Sequence, residues 1–123
     1  MPNSSIATPR LLVVEDEYLI RMLLEDMLAD NGYAVAHAVG TITEASQFAT
    51  AGAFDVAILD VNVDGEEVYP VADILAQRGL PFVFVTGYGE GILPAKYRNR
   101  PALQKPFQAE QLNRMLAELL AAA

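Results

Sequence analysis

Four polar side chains stand where apolar, strand-like runs end. Asp16 follows Leu11-Leu12-Val13-Val14, and Asp60 follows Val56-Ala57-Ile58-Leu59. Thr86 follows Phe82-Val83-Phe84-Val85, and Lys105 follows Ala102-Leu103. If these runs are parallel neighbours, all four converge on the carboxyl edge of one sheet, where open α/β sheets bind ligands. Glu15 adds a third carboxylate beside Asp16 and Asp60. Three such groups near one point repel one another unless a cation is bound, and hard oxygen ligands select Mg²⁺ or a similar ion such as Mn²⁺. With charge neutralised, a carboxylate can attack phosphorus and form an aspartyl phosphate. Phosphoryl transfer then needs donors for the equatorial oxygens, and Thr86 and Lys105 are one neutral and one charged donor. Taken singly, an Asp after a strand is ordinarily a turn former and a lone Lys ordinarily solvated surface. The coincidence of four strand ends with four suitable groups gives the chemical reading its weight.

The elements that must position these groups can be read in order. The continuous apolar run at residues 11–14 is that of a strand covered on both faces. Ile20, Leu23, Leu24, Met27 and Leu28 then recur at helical spacing until Asn31-Gly32. Residues 33–39 read as a second strand. Thr41-Ile42-Thr43-Glu44 matches a capping box, opening a helix that ends at Gly52. After the third strand and Asp60, residues 61–66 read as an acidic loop. Val68, Val71, Ala72 and Leu75 mark a short helix stopped by Gly79. Three glycines and a proline fill residues 87–94, where a fourth helix is expected. Gly and Pro cost about 1 and 3 kcal/mol in a helix interior, so that helix should be short, displaced or mobile. Leu112, Met115, Leu116, Leu119 and Leu120 form the stripe of the last helix. Alternating strands and helices predict a doubly wound α/β fold, with a five-stranded parallel sheet covered by helices on both faces. The aromatics Phe54, Phe82 and Phe84 read as core. His37, the only histidine, reads as packed or edge-exposed in the second strand.

Bulk properties narrow the function. The chain has 123 residues, 53% of them hydrophobic, which suits one domain with one core. Net charge is −8, and only two of the eight cations are lysines, Lys96 and Lys105, so nucleic-acid binding is not expected. With no cysteines, thiolate chemistry is excluded. No signal peptide and no apolar run near the ~20 residues of a membrane span is present, so a cytoplasmic protein without membrane insertion is expected.

Val13-Val14-Glu15-Asp16-Glu17, Leu59-Asp60-Val61-Asn62, Val85-Thr86-Gly87 and Lys105-Pro106-Phe107 together resemble the receiver domain of two-component response regulators, over nearly the whole chain. The resemblance implies a flavodoxin-like sheet of order 2-1-3-4-5, with residues 1–9 a flexible N-terminus, residues 10–121 a single receiver domain, and no output domain. It implies that Asp60 is the phosphoacceptor. Asp16 and Asp60 would ligate Mg²⁺ directly, Glu15 through water and Asn62 through its carbonyl. Thr86 would take a phosphoryl oxygen, and Lys105 would pair with the phosphate, followed by a cis bond before Pro106. The expected partners are a histidine kinase, a histidine phosphotransfer protein, or both, with a downstream protein reached by contact or by phosphate shuttling. By family analogy, the partner face is the fourth helix, fifth strand and fifth helix. Such a domain performs its own phosphorylation and dephosphorylation chemistry and is not an enzyme on an external substrate.

Two departures qualify the resemblance. The usual aromatic switch three positions before the lysine is Ala102 here, and the loop after Asp60 lacks the common proline and reaches Gly65 early, which should start the third helix sooner. Pro81-Phe82-Val83-Phe84-Val85-Thr86-Gly87-Tyr88-Gly89 is similar to the stand-alone FAT GUY receivers, in which a Gly-rich segment replaces that switch. Phosphorylation or metal binding is then expected to order residues 87–97, with Tyr88 the nearest moving part. The alternatives are a phosphate-independent binding module, whose usual sign is loss of a site residue, and an aspartate-nucleophile phosphatase of the haloacid dehalogenase type. The phosphatase would need a second Asp where Asn62 stands. A nucleotide-binding flavodoxin-like protein would need a Gly-rich loop after the first strand.

Overall fold

The computed structural model describes residues 8–87 and 93–122. In chain order the elements are β1 (Arg10–Val14), α1 (Tyr18–Asp30), β2 (Ala34–Val39), α2 (Ile42–Ala51), β3 (Val56–Asp60), β4 (Asn62–Val63), β5 (Glu66–Glu67) and α3 (Tyr69–Arg78). There follow β6 (Phe82–Thr86), a 3₁₀ turn (Ala95–Tyr97), β7 (Ala102–Gln104) and α4 (Ala109–Ala122). The main sheet runs β2-β1-β3-β6-β7, all parallel. Counting its five strands along the chain gives the expected order 2-1-3-4-5. Among the described residues, no helix is long and apolar enough to cross a membrane.

Strand alternation divides the core in two. Leu12, Val14, Ala57, Leu59, Phe82 and Phe84 face α2 and α3. Leu11, Val13, Ile58, Val83, Val85 and Leu103 meet Leu24 and Leu28 of α1 and Leu112 and Leu116 of α4. Each fully buried aliphatic side chain contributes about 1.5–3 kcal/mol, which is why continuous apolar runs fold as central strands. The helices stop where glycine was read as a stop. At Gly79, in the left-handed region with φ 72°, the following Leu80 N–H donates to the Leu75 carbonyl at 3.0 Å. Thr41 caps α2 by accepting from the Glu44 N–H at 3.2 Å, but the Glu44 carboxylate turns to the Thr41 hydroxyl, so only half of the expected box forms.

Three local readings change. Residues 61–66 are no simple acidic loop, because β4 and β5 pair as a hairpin. Leu23, assigned to the apolar stripe of the first helix, is 54% exposed, since the buried side of α1 centres on Leu24 and Leu28. In place of a fourth βα helix, the described part of the β6–β7 connection holds only the 3₁₀ turn. In that described part Tyr97, 4% exposed, anchors the segment. Its ring stacks on Tyr69 and meets Phe82 and Phe84 edge-on. Its hydroxyl donates to Asp73 Oδ1, which also accepts from Lys96 Nζ at 2.8 Å. Tyr88 lies outside the described residues.

Candidate functional site

At the carboxyl edge, sheet hydrogen bonding extends one residue past three strands. The Glu15 N–H donates to the Val39 carbonyl at 3.0 Å, the Val61 N–H to Val85 at 3.0 Å, and the Lys105 N–H to Thr86 at 2.8 Å. These bonds hold the backbone at Glu15, Thr86 and Lys105 and directly after Asp60. One ligand oxygen from each of Glu15, Asp16 and Asp60 lies within 4.8 Å of the others. Glu15 and Asp60 are buried, at 1% and 5% exposure, while Asp16 is exposed. Lys105 Nζ bridges the two buried carboxylates, 3.1 Å from Glu15 Oε1 and 3.2 Å from Asp60 Oδ2. The Lys105–Pro106 peptide bond is cis, as the resemblance implies.

Thr86 ends β6, one residue past Val85, the partner of Asp60 in the ladder. Its hydroxyl lies 3.5 Å from the Leu103 carbonyl oxygen. Asn62 opens β4 two residues after Asp60, with its side chain exposed. The structure thus gathers Glu15, Asp16, Asp60 and Lys105 into direct proximity and sets Thr86 and Asn62 on the adjoining rim.

Burial pushes the Glu15 carboxyl up to about 7, and the Asp60 charge pushes the same way; the Glu17 N–H at 3.1 Å and the Lys105 ammonium oppose it. Burial alone would lower Lys105, but the charges and hydrogen bonds of Asp60 and Glu15 outweigh it and hold the ammonium above its usual value. One lysine therefore does not neutralise the acids, and a hard divalent cation fits this donor set. Other contacts were not foreseen. The Asp64 N–H donates to Asp16 Oδ2 at 2.9 Å, and Arg21 Nη1 donates to the Glu15 carbonyl at 3.3 Å. Asp64-Gly65 between short extended pairs was the available signal for the first, since that dipeptide favours two-residue hairpins. The second is set by a helix docking angle and has no sequence signature.

The response regulator receiver domain family matches residues 11–117. SdrG from Sphingomonas melonis Fr1 superposes with a TM-score of 0.82 at 43% identity, covering 92% of this chain and 97% of that one. The BeF3-activated conformation of SdrG gives a TM-score of 0.77 at 43% identity, with 94% and 98% coverage. The transcriptional regulatory protein PdtaR of Mycobacterium tuberculosis is 32% identical over 115 residues, covering 89% of this chain and 56% of its own length. The chain thus spans about half the length of the curated relatives it matches.

Proposed function

The chain belongs to the response regulator receiver domain family, and from that premise we propose that Asp60 accepts a phosphoryl group from a histidine kinase or histidine phosphotransfer protein in a Mg²⁺- or Mn²⁺-dependent reaction. The observation that carries this reading is the buried Asp60 carboxylate, bridged by Lys105 and set beside Glu15 and Asp16. An Asp60 oxygen attacks phosphorus as the bond to the donor imidazole nitrogen breaks, and that nitrogen leaves with its electron pair. Asp16, Asp60 and the Asn62 carbonyl would hold the cation, with Glu15 acting through water. The cation would supply charge neutralisation between carboxylate and phosphoryl oxygens. Lys105 transfers its hydrogen bonds from the carboxylates to a phosphoryl oxygen, and Thr86 turns its hydroxyl from the Leu103 carbonyl to another. The existence of a BeF3-activated form of SdrG, at 43% identity, supports the same chemistry here. The phosphorylated domain then signals by protein contact or passes its phosphate on.

Intact mass after incubation with acetyl phosphate should show a phosphate adduct with Mg²⁺, none with excess chelator, and none in Asp60→Ala. No adduct on the wild type with Mg²⁺, or one that survives Asp60→Ala, would favour a binding module that works without phosphate.

A further inference from the structure

The connection from Asp60 to α3 is a two-residue hairpin whose turn points a backbone N–H into the acidic site. Asn62 pairs with Glu67 and Val63 with Glu66, so Asp64-Gly65 is the whole turn. Both residues have positive φ, 53° and 81°. This is the pattern of the type I′ turn, whose twist matches that of the paired strands and which favours Asp-Gly. Fully buried Val63 and Val68 pin the hairpin to the core, and the Val68 N–H closes its base by donating to the Val61 carbonyl at 2.9 Å. With the base fixed on both sides, the turn delivers the Asp64 amide to Asp16 Oδ2 at 2.9 Å. Asp16 is the one exposed member of the carboxylate trio, so its rotamer would otherwise be set by water.

We propose that the β4–β5 hairpin is a positioning element for the cation: the Asp64 N–H occupies one oxygen of Asp16 and leaves the other for the ion, while the same hairpin fixes Asn62. The inference rests on the cation-dependent reading of the site. Asp64 acts through its backbone, and its exposed carboxylate contributes only long-range charge. Gly65 is the sensitive position, because an L side chain at φ 81° is strained even though nothing crowds the space around it.

The test is Mg²⁺ titration of the full chain by NMR, with thermal melts in chelator as the control. Gly65→Val should weaken Mg²⁺ binding by about tenfold, the lower end of what loss of an outer-shell partner costs a metal site. Asp64→Asn keeps the amide and the turn, so it should change affinity far less, and its effect should shrink with added salt. In the wild type, the Asp64 amide resonance should move with the dissociation constant seen at Asp60. A Gly65→Val protein that melts lower but binds Mg²⁺ as the wild type does would overturn the proposal alone, as would an Asp64 amide that stays still at saturating Mg²⁺. The amide measurement needs no variant to fold. A wild type that binds no Mg²⁺ would overturn the cation reading as well.

Discussion

Glu15 is the group whose ionisation the fold resists. Its carboxyl is raised from 4.5 to about 7, first by burial and then by the Asp60 charge. A carboxyl with a folded pKa above its unfolded value gives stability that is complete below the unfolded value and lost as pH rises through the folded one. In chelator, the melting temperature should therefore fall between about pH 5 and about pH 8, and Glu15→Gln should flatten that slope. Added Mg²⁺ should raise it more at the alkaline end. Equal Mg²⁺ stabilisation at both ends would contradict this account. Asp60 and Lys105 were legible in the sequence because four strand ends carry four suitable groups together, where each alone would pass for a turn former or a surface residue. The Asp64 amide was legible only as far as Asp64-Gly65 announces a hairpin turn, since the fold alone aims that N–H at Asp16.

At the scale of elements, residues 93–101 have only a 3₁₀ turn for regular structure and are anchored by the buried ring of Tyr97. Burial first, and then the hydrogen bond and charge of Asp73, push its phenol up to about 12. The Lys96 hydrogen bond first, and then that of Tyr97, hold Asp73 below the usual carboxylate range. Because the folded phenol titrates above the unfolded value of 10, its contribution is complete below pH 10 and lost as pH rises through about 12. Tyr97→Phe keeps the ring packing and removes the hydroxyl. It should cost about 1.5–3 kcal/mol in denaturant unfolding at neutral pH, and the loss should narrow between pH 10 and about 12. A constant difference across that range would place the effect in packing. The central strands and flanking helices were readable because burial imposes periods of two and 3.6 on whole segments. The segment around Tyr97 has no period. One buried ring and a few side-chain contacts hold it, so its sequence announced only that a helix would be poor.

For the whole molecule, apolar residues in the wrong place carry the information. Tyr18, Leu19, Met22 and Leu23 are exposed on α1, Leu19 at 78%. Of these, Leu23 lines an apolar cavity of ≈ 430 Å³ together with Ile20, Met27, Phe107 and Lys105. If Asp60 accepts a phosphoryl group as proposed, a protein donor reaching it would cover this rim, which Lys105 joins to the carboxylate. Leu19→Glu with Leu23→Glu should therefore slow phosphotransfer from a cognate protein donor by about tenfold or more. Phosphorylation by acetyl phosphate, which needs no docking, should be unchanged. Equal slowing of both would assign the residues to the fold. The sequence could not reveal this face, since leucines at helical spacing read as core whichever way the helix is turned. The ladder bonds that run past β1, β3 and β7 have a last consequence. The reactive groups hang from backbone already frozen by the sheet, so the conformational entropy of assembling them is lost at folding and not again at each turnover. On the proposed function, what would remain to be spent on chemistry at Asp60, Thr86 and Lys105 is chiefly the torsions of their side chains.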